Sequence, residues 1–156
     1  DGITRFNPNL YRNGKVCISI LNTWKGPQWT SCQNISSILL CICASVLNNE
    51  PFLNEPGITL YHEDYINYNK IIKYKNYEIA IAYMLINANI KINFTELHEI
   101  MVKKFLENYN DIICNLETNI NLNDEVLETG FYRMKVKTSY TNTKNKIDEI
   151  YKLLKN

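Results

Sequence analysis

The sequence predicts a mainly helical fold with very little strand. Three long stretches, at 33–48, 66–86 and 95–116, repeat apolar residues at the spacing of a helix with one buried face. Only one short run, at 16–21, alternates in the manner of a strand. The chain has 156 residues, of which 46% are hydrophobic, so its length suggests one domain and its composition allows a packed core.

The segment at 5–21 combines turn signals, amides and a cysteine. Asn-Pro-Asn at 7–9 predicts a turn, because proline fixes φ and asparagine tolerates unusual backbone angles. Asn-Gly at 13–14 is a second turn signal, and the extended run at 16–21 follows it. Cys17 therefore lies where a turn meets a strand, with polar amides folded back toward it.

The central stretch at 33–48 predicts a helix that either Ser31 or Asn34 caps. Apolar residues continue beyond one face of this helix, which predicts central burial and makes Cys41 and Cys43 small core hydrophobes. The other apolar residues of the stretch are Ile35, Ile38, Leu39, Leu40, Ile42, Val46 and Leu47.

Loops flank this helix on both sides. Ahead of it a Gly-Pro pair marks a loop, and we expect Trp24 and Trp29 to clamp that loop to the body of the protein. Behind it, two Glu-Pro pairs within 49–57 end the helix, since the residue before a proline avoids helical backbone. Glu55 in this second loop is either a solvated acid or, if the loop approaches Cys17, part of the same site.

The rest of the chain predicts helices separated by polar breaks. Asparagines within 87–89 end the second long helix, and the third occupies 95–116. Residues 124–128 are expected to form a turn of helix. The last segment, at 132–154, has an amphipathic end.

Charge and cysteine content argue against several classes of protein. The net charge of +1 gives no electrostatic case for nucleic acid or an anionic membrane, and no apolar stretch is long enough to span a bilayer. Five cysteines at irregular spacing argue against a disulfide framework and favour reduced thiols, in the cytosol or the nucleus. Cys41 and Cys43 lack the two-residue gap of a zinc knuckle, and only His62 and His98 could join them, so we expect no structural zinc.

The segment around Cys17 resembles the active-site segment of ubiquitin-conjugating enzymes. That family carries His-Pro-Asn, with the cysteine eight positions after the asparagine in a Gly-x-Ile/Val-Cys context. Here Asn9 and Cys17 are eight positions apart and Gly14 precedes the cysteine. Asn7 takes the position of the family histidine, where we interpret it as structural, and Trp29 matches a family tryptophan beyond the cysteine.

Further motifs resemble one branch of the family, the large Z-type enzymes, and also the conjugating domain of the giant inhibitor-of-apoptosis enzymes. These motifs are Phe-Asn-Pro-Asn at 6–9, Gly-Lys-Val-Cys at 14–17 and Asn-Glu-Pro-Gly at 54–57. The resemblance covers nearly the whole chain. It implies the α+β ubiquitin-conjugating-enzyme-like (UBC) fold, here as an N-terminally truncated, mainly helical part of it.

The resemblance also implies a domain division, with the C-terminal portion of the UBC core at 1–118 and a helical C-terminal extension at 119–156. On this resemblance, we expect the chain to lack the first helix and the first strands of the family. In the family the central helix packs on that sheet, so without the sheet its apolar face would be exposed.

Three site residues follow from the resemblance. Cys17 would be the nucleophile that accepts the modifier's C-terminus as a thioester, because a thiolate attacks well and leaves well. Asn9 would stabilise the tetrahedral oxyanion when a lysine attacks, or hold the site loop in shape. Glu55 would orient the attacking lysine and assist its deprotonation. The resemblance implies neither a metal nor a cofactor.

The implied activity is that of a ubiquitin-conjugating enzyme. It accepts ubiquitin or a ubiquitin-like modifier from a ubiquitin-activating enzyme and passes it to a substrate lysine or to a ubiquitin ligase. The implied partners are these proteins, without nucleic acid or membrane. Two alternatives stay open: a catalytically impaired interaction module that keeps the fold, and a cysteine protease that pairs Cys17 with His62 or His98.

Overall fold

The computed structural model describes residues 2–155, and contacts within the chain divide it into two compact units. The first unit runs to Ile72 and adds the segment Glu128–Met134. The second holds Lys73–Leu127 and continues from Lys135. The chain is 60% helical with one small sheet, which confirms the predicted mainly helical part of a UBC fold. The division at 118/119 between core and extension stays a prediction.

The first unit contains short helical elements joined by loops. Helix α1, Ile35–Cys41, continues as one wider π-helical turn over Ile42–Val46. Helix α2, Tyr65–Lys75, begins in this unit. Three 3₁₀ turns complete it: Ser19–Leu21, Pro51–Asn54 and Phe131–Arg133.

The second unit is built mainly of helices. After α2 the chain continues as a π-helix over Asn76–Tyr83, and the predicted helix at 66–86 is confirmed. The elements that follow are α3 (Met84–Ile86), α4 (Ala88–Asn93), α5 (Thr95–Glu117), a 3₁₀ turn (Ile120–Leu122), β1 (Val126–Glu128), β2 (Lys135–Lys137) and α6 (Tyr140–Lys155). Among the described residues, no helix is both long enough and apolar enough to cross a membrane.

Two predictions of local structure were wrong. The segment expected to form a helical turn at 124–128 instead contains strand β1, which pairs with β2. A strand of three residues is too short for its sequence to show either the helical or the strand period. The expected strand at 16–21 makes a single bridge at Val16 and then turns, because the Thr23 N–H and hydroxyl bond back to Ile18. The Ser19–Leu21 turn results.

Helix α1 begins as predicted, but it is not central to a core. Asn34 Oδ1 accepts the Ser37 N–H at 3.1 Å, and the Ser37 hydroxyl accepts the Asn34 N–H, which together form a capping box. No side chain of α1 is buried, and Leu40 is 70% exposed. The prediction of central burial was therefore wrong, whereas the exposure expected without a covering sheet is observed.

The cysteines and tryptophans of this region follow the same pattern. Cys41 is half-buried and Cys43 exposed, so neither is a core hydrophobe. Trp24 and Trp29 are both exposed and do not clamp their loop. Apolar character alone predicted burial here, and burial requires an opposing layer that residues 2–155 do not supply to these side chains.

An aromatic cluster forms the core of the first unit. Phe52, Tyr68 and Ile71 are fully buried, and the rings of Phe52 and Tyr68 stack with centroids 4.4 Å apart. Phe131 packs edge-on against Phe52 at 5.6 Å. The loop at 49–57 and the segment Glu128–Met134 are thereby fixed to the same core as α2.

The second unit packs around α5 and α6. Leu116 and Ile147 are fully buried there, and the rings of Tyr109 and Tyr151 stack 3.7 Å apart. The Tyr109 hydroxyl donates to Asp148 at 2.7 Å; partial desolvation and this carboxylate raise the pKa of Tyr109 to about 12.

Candidate active site

The Asn-Pro-Asn segment forms the predicted turn. The Leu10 N–H donates to Asn7 O at 2.9 Å, and the Asn9 N–H donates to Asn7 Oδ1 at 2.8 Å. The Asn7 side chain is 1% exposed, and its amide donates to Val46 O at 2.8 Å. Asn7 thus joins the turn to the π-helical end of α1, which agrees with a structural interpretation.

A second turn brings Cys17 back beside Asn9. The Tyr11 N–H donates to Lys15 O at 2.9 Å, and the Gly14 N–H donates to Tyr11 O at 3.0 Å. Gly14 has φ of 87°, a left-handed conformation that glycine adopts without steric cost. The predicted Asn-Gly turn is therefore present, and it reverses the chain so that the residues after it pair with those before it.

Asn9 and Cys17 are joined by two hydrogen bonds. The Cys17 N–H donates to Asn9 O at 2.8 Å, and the Asn9 side-chain amide donates to Cys17 O at 2.6 Å. Both residues are buried. Two of the three residues singled out from the sequence thus form one hydrogen-bonded pair, and the amide of Asn9 holds the backbone that carries the thiol.

The thiol itself is covered. Cys17 is 3% exposed, and its Sγ–H donates to Thr23 O at 2.6 Å. The Thr23 hydroxyl also accepts the Ile18 N–H at 3.0 Å. Asn22, just before it, has φ of 58°, which turns the chain so that Thr23 returns to the cysteine. In this arrangement the thiol hydrogen points at the Thr23 carbonyl, and the sulfur can attack an incoming group only after this contact breaks.

Glu55 is held by a different residue. Its carboxylate accepts a hydrogen bond from the Tyr132 hydroxyl. Burial, followed by this bond and the Glu55 charge, holds the pKa of Tyr132 far above its ordinary value, so the hydroxyl stays a donor. Among residues 2–155, no hydrogen bond joins the Glu55 carboxylate to Cys17 or to Asn9.

Arg5 was missed by sequence reasoning. Its guanidinium lies 3.6 Å from the centroid of the Tyr11 ring and 5.0 Å from that of Tyr132. It also donates to Asn7 O at 3.2 Å and to Pro8 O at 2.6 Å. Its position directly before the turn was the available signal, but its second aromatic partner lies 127 positions away, and no local pattern predicts that contact.

The two histidines have other partners than the thiol. His62 Nδ1 accepts the Asp64 N–H at 3.1 Å, and its ring packs against Phe52 and Phe131. In the second unit, His98 is buried with Nε2 2.9 Å from Leu85 O. Because the thiol bonds a backbone carbonyl instead of an imidazole, the geometry disfavours the protease alternative. Within the described part of the chain, no three His, Cys, Asp or Glu side chains form a group that could hold a metal ion.

Comparison with known families agrees with this site. Residues 3–76 match the family model of the ubiquitin-conjugating enzymes, so this region of the chain belongs to the ubiquitin-conjugating enzyme family. The matched region contains the Asn9–Cys17 pair and the loop of Glu55.

Individual relatives point to one branch of the family. The chain is 45% identical over 108 residues to ubiquitin-conjugating enzyme E2 Z of Danio rerio, covering 67% of this chain and 32% of that protein. It is 38% identical over 130 residues to E2 Z of Homo sapiens, covering 81% of this chain and 36% of that protein. The dual E2 ubiquitin-conjugating enzyme/E3 ubiquitin-protein ligase BIRC6 of Homo sapiens is 47% identical over 57 residues, 34% of this chain and 1% of that protein.

These comparisons confirm the resemblance to the Z-type enzymes. The chain spans about a third of the length of the E2 Z relatives that it matches.

Proposed function

We propose that this chain carries the thioester site of a ubiquitin-conjugating enzyme. Cys17 accepts ubiquitin or a ubiquitin-like modifier and passes it to a substrate lysine or to a ligase. The observation that carries the proposal is the doubly hydrogen-bonded pair of Asn9 and Cys17, inside a region that matches the family. Every buried backbone group needs a hydrogen-bond partner, but a cysteine that only packs does not need the side-chain amide of Asn9 as that partner.

Loading begins when the Cys17 Sγ–H leaves Thr23 O and gives up its proton to solvent. The thiolate then attacks the thioester carbonyl that links the modifier to the activating enzyme. A new bond forms from Cys17 Sγ to that carbon, and the activating enzyme's cysteine leaves as a thiolate. Thioester exchange needs only modest activation, since the acyl group arrives already bound to sulfur.

Transfer to lysine then proceeds through a tetrahedral oxyanion. The lysine nitrogen forms a bond to the carbonyl carbon, the bond to Cys17 Sγ breaks, and the lysine proton passes toward Glu55. The Asn9 side-chain amide has two hydrogens. One donates to the Cys17 carbonyl and supports the backbone, and the other can donate to the oxyanion.

The partners under this proposal are the modifier, a ubiquitin-activating enzyme, ubiquitin ligases and protein substrates, in the cytosol or nucleus. Membership of the family supports this set in general terms. A net charge of +1 gives no support to nucleic acid or an anionic membrane as a partner.

The loading assay tests the proposal directly. The complete natural gene product, with ATP, an activating enzyme and a panel of modifiers, should form an adduct that reductant removes. Cys17→Ala should abolish the adduct, because no other atom of the site can hold a thioester. Cys17→Ser should instead give an ester that resists reductant.

Cys114→Ala is the matched control, since that thiol is exposed and lies in the second unit. It should load as the wild type does. An adduct that persists in Cys17→Ala, or that disappears in Cys114→Ala, contradicts the assignment of Cys17.

The second candidate is a catalytically impaired interaction module. The low exposure of Cys17 and its bond to Thr23 favour it, because they withhold the thiol from an incoming thioester. Such a module would bind an activating enzyme or a ligase without forming any reductant-sensitive adduct. The same assay, read beside a binding measurement, separates the two candidates.

A further inference from the structure

The segment Glu128–Met134 is anchored in the first unit by α2 and the loop before it. The Asn67 amide donates to Glu128 O at 3.0 Å. The carboxylate of Asp64, which is buried, accepts the N–H groups of Gly130 at 3.0 Å and Phe131 at 2.8 Å. A buried carboxylate bonded to two backbone donors fixes the turn that it caps. The backbone of the next residue, Tyr132, is therefore held in a defined position.

The backbone of that turn takes an unusual conformation. Tyr132 and Arg133 both lie in the left-handed region, with φ of 59° and 47°, although neither is a glycine. Residues in such conformations persist where the surrounding contacts over-determine them, and they concentrate at functional sites. Here the conformation directs the Tyr132 side chain toward the loop that carries Glu55.

Charged and titratable groups surround Tyr132. The Arg5 guanidinium lies over its ring at 5.0 Å, and the Tyr68 ring packs beside it with centroids 6.0 Å apart. Arg12 donates to its carbonyl oxygen, and its hydroxyl donates to Glu55. Tyr132 is thus fixed at its backbone, its ring and its hydroxyl, and Arg5 connects it to the turn that carries Asn9.

The contact leaves half of the Glu55 carboxylate available. Tyr132 bonds Oε2, and among the described residues no hydrogen bond or ion pair engages Oε1. A glutamate has several accessible rotamers, and a fixed donor that selects one of them lowers the ordering cost when a cation arrives. The side chain is half-buried, which strengthens its attraction for an ammonium group.

We propose that Tyr132 is a positioning residue for the transfer step: its hydroxyl holds the Glu55 carboxylate so that Oε1 receives the attacking lysine. The inference rests on the proposed function, because Glu55 has this task only if Cys17 carries a modifier. It adds a residue outside the region that matches the family, contributed by a segment more than seventy positions along the chain from Glu55.

Tyr132→Phe in the complete gene product removes the hydroxyl and keeps the ring. Loading of Cys17 should stay within about twofold of wild type, whereas discharge of the isolated thioester to free lysine should slow about tenfold. Glu55→Gln should slow discharge to a similar degree, and the double variant no further, because both changes disable one unit.

The pH dependence of the discharge rate distinguishes a positioning role of Tyr132 from a purely structural one, because a structural role would leave it unchanged. Both variants should need a higher pH for the same rate. Their deficit should shrink as the pH approaches the pKa of free lysine, about 10.4, where the amine deprotonates unaided. Tyr61→Phe is the matched control, because Tyr61 is 96% exposed; its loading and discharge should equal those of wild type.

The outcomes distinguish a failure of the Tyr132 role from a failure of the proposed function. If wild type loads normally and Tyr132→Phe discharges at the wild-type rate with an unchanged pH profile, the role of Tyr132 is wrong and the proposed function stands. The role of Tyr132 is also wrong if the discharge rate of the double variant falls by the product of the two single losses, because the two residues would then act independently. If wild type loads no modifier at all, the proposed function fails and the inference fails with it.

Discussion

Two neighbouring regions of the first unit contrast sharply: the site segment at 5–23 and helix α1. The site segment buries polar groups, and Asn7, Asn9 and the Cys17 thiol each have hydrogen-bond partners. Helix α1 exposes apolar side chains, and Leu40 is the most exposed of them. The site segment therefore buries polar side chains, whereas α1 exposes apolar ones.

The difference shows what each region depends on. The site segment is specified by local chemistry, because turns, a left-handed glycine and short-range amide bonds fold it back on itself. The apolar face of α1 is specified for contact with another layer, and a local pattern cannot provide that layer. Changes in the site segment should therefore cost function and stability, whereas changes on the face of α1 should cost this chain little.

The largest effect should come from Asn9→Ala, measured on the complete gene product. If the free amide hydrogen of Asn9 meets the oxyanion, discharge to lysine should fall about 10²-fold, and more than loading does. Asn13→Ala is the control, because the Asn13 side chain is exposed and only bonds the Lys15 N–H at 3.1 Å. Equal losses in loading and discharge would show that Asn9 acts only by shaping the loop.

Asn7→Ala should give the next largest effect, in stability. It leaves the Asn9 N–H and the Val46 carbonyl without their partner in a buried place, at a cost of about 1–3 kcal/mol of unfolding free energy. Denaturant unfolding of the 156-residue chain measures it. Asn13→Ala again serves as control and should stay within about 0.5 kcal/mol of wild type. A neutral Asn7→Ala would refute the structural role of Asn7.

The sequence predicted the site best where the interactions are local. The turns at 7–9 and 13–14 and the cap Asn34 follow from residue types within a few positions of each other, and all three are present. The pairing of Asn9 with Cys17 follows from the turn at 13–14, which lies between them. The comparisons confirm the family resemblance, whose motifs at 6–9, 14–17 and 54–57 are each short and local.

The sequence predicted poorly where contacts connect distant parts of the chain. Strand β1 depends on β2, and the placement of Glu55 depends on Tyr132; neither partner has a local signature. The prediction that α1 is buried rested on hydrophobicity alone and was wrong. Periodicity identifies a face that can be buried, but it does not say what would bury that face.

The smallest effect should come from Leu40→Gln on α1. Glutamine forms helix nearly as well as leucine, and a side chain that is 70% exposed has little burial to lose, so the unfolding free energy of the 156-residue chain should change by less than about 0.5 kcal/mol. Self-association should weaken, because a large exposed apolar residue is removed. Sedimentation beside denaturant unfolding measures both effects.

Leu116→Gln is the matched control, since Leu116 is fully buried in α5. It should cost several-fold more than Leu40→Gln, because a polar amide would replace a packed apolar side chain. A loss above about 2 kcal/mol in Leu40→Gln would instead show that the face of α1 is covered in this chain. The same substitution in the complete gene product measures whether anything outside these 156 residues packs on α1, since a covering layer would raise the cost of Leu40→Gln toward that of Leu116→Gln.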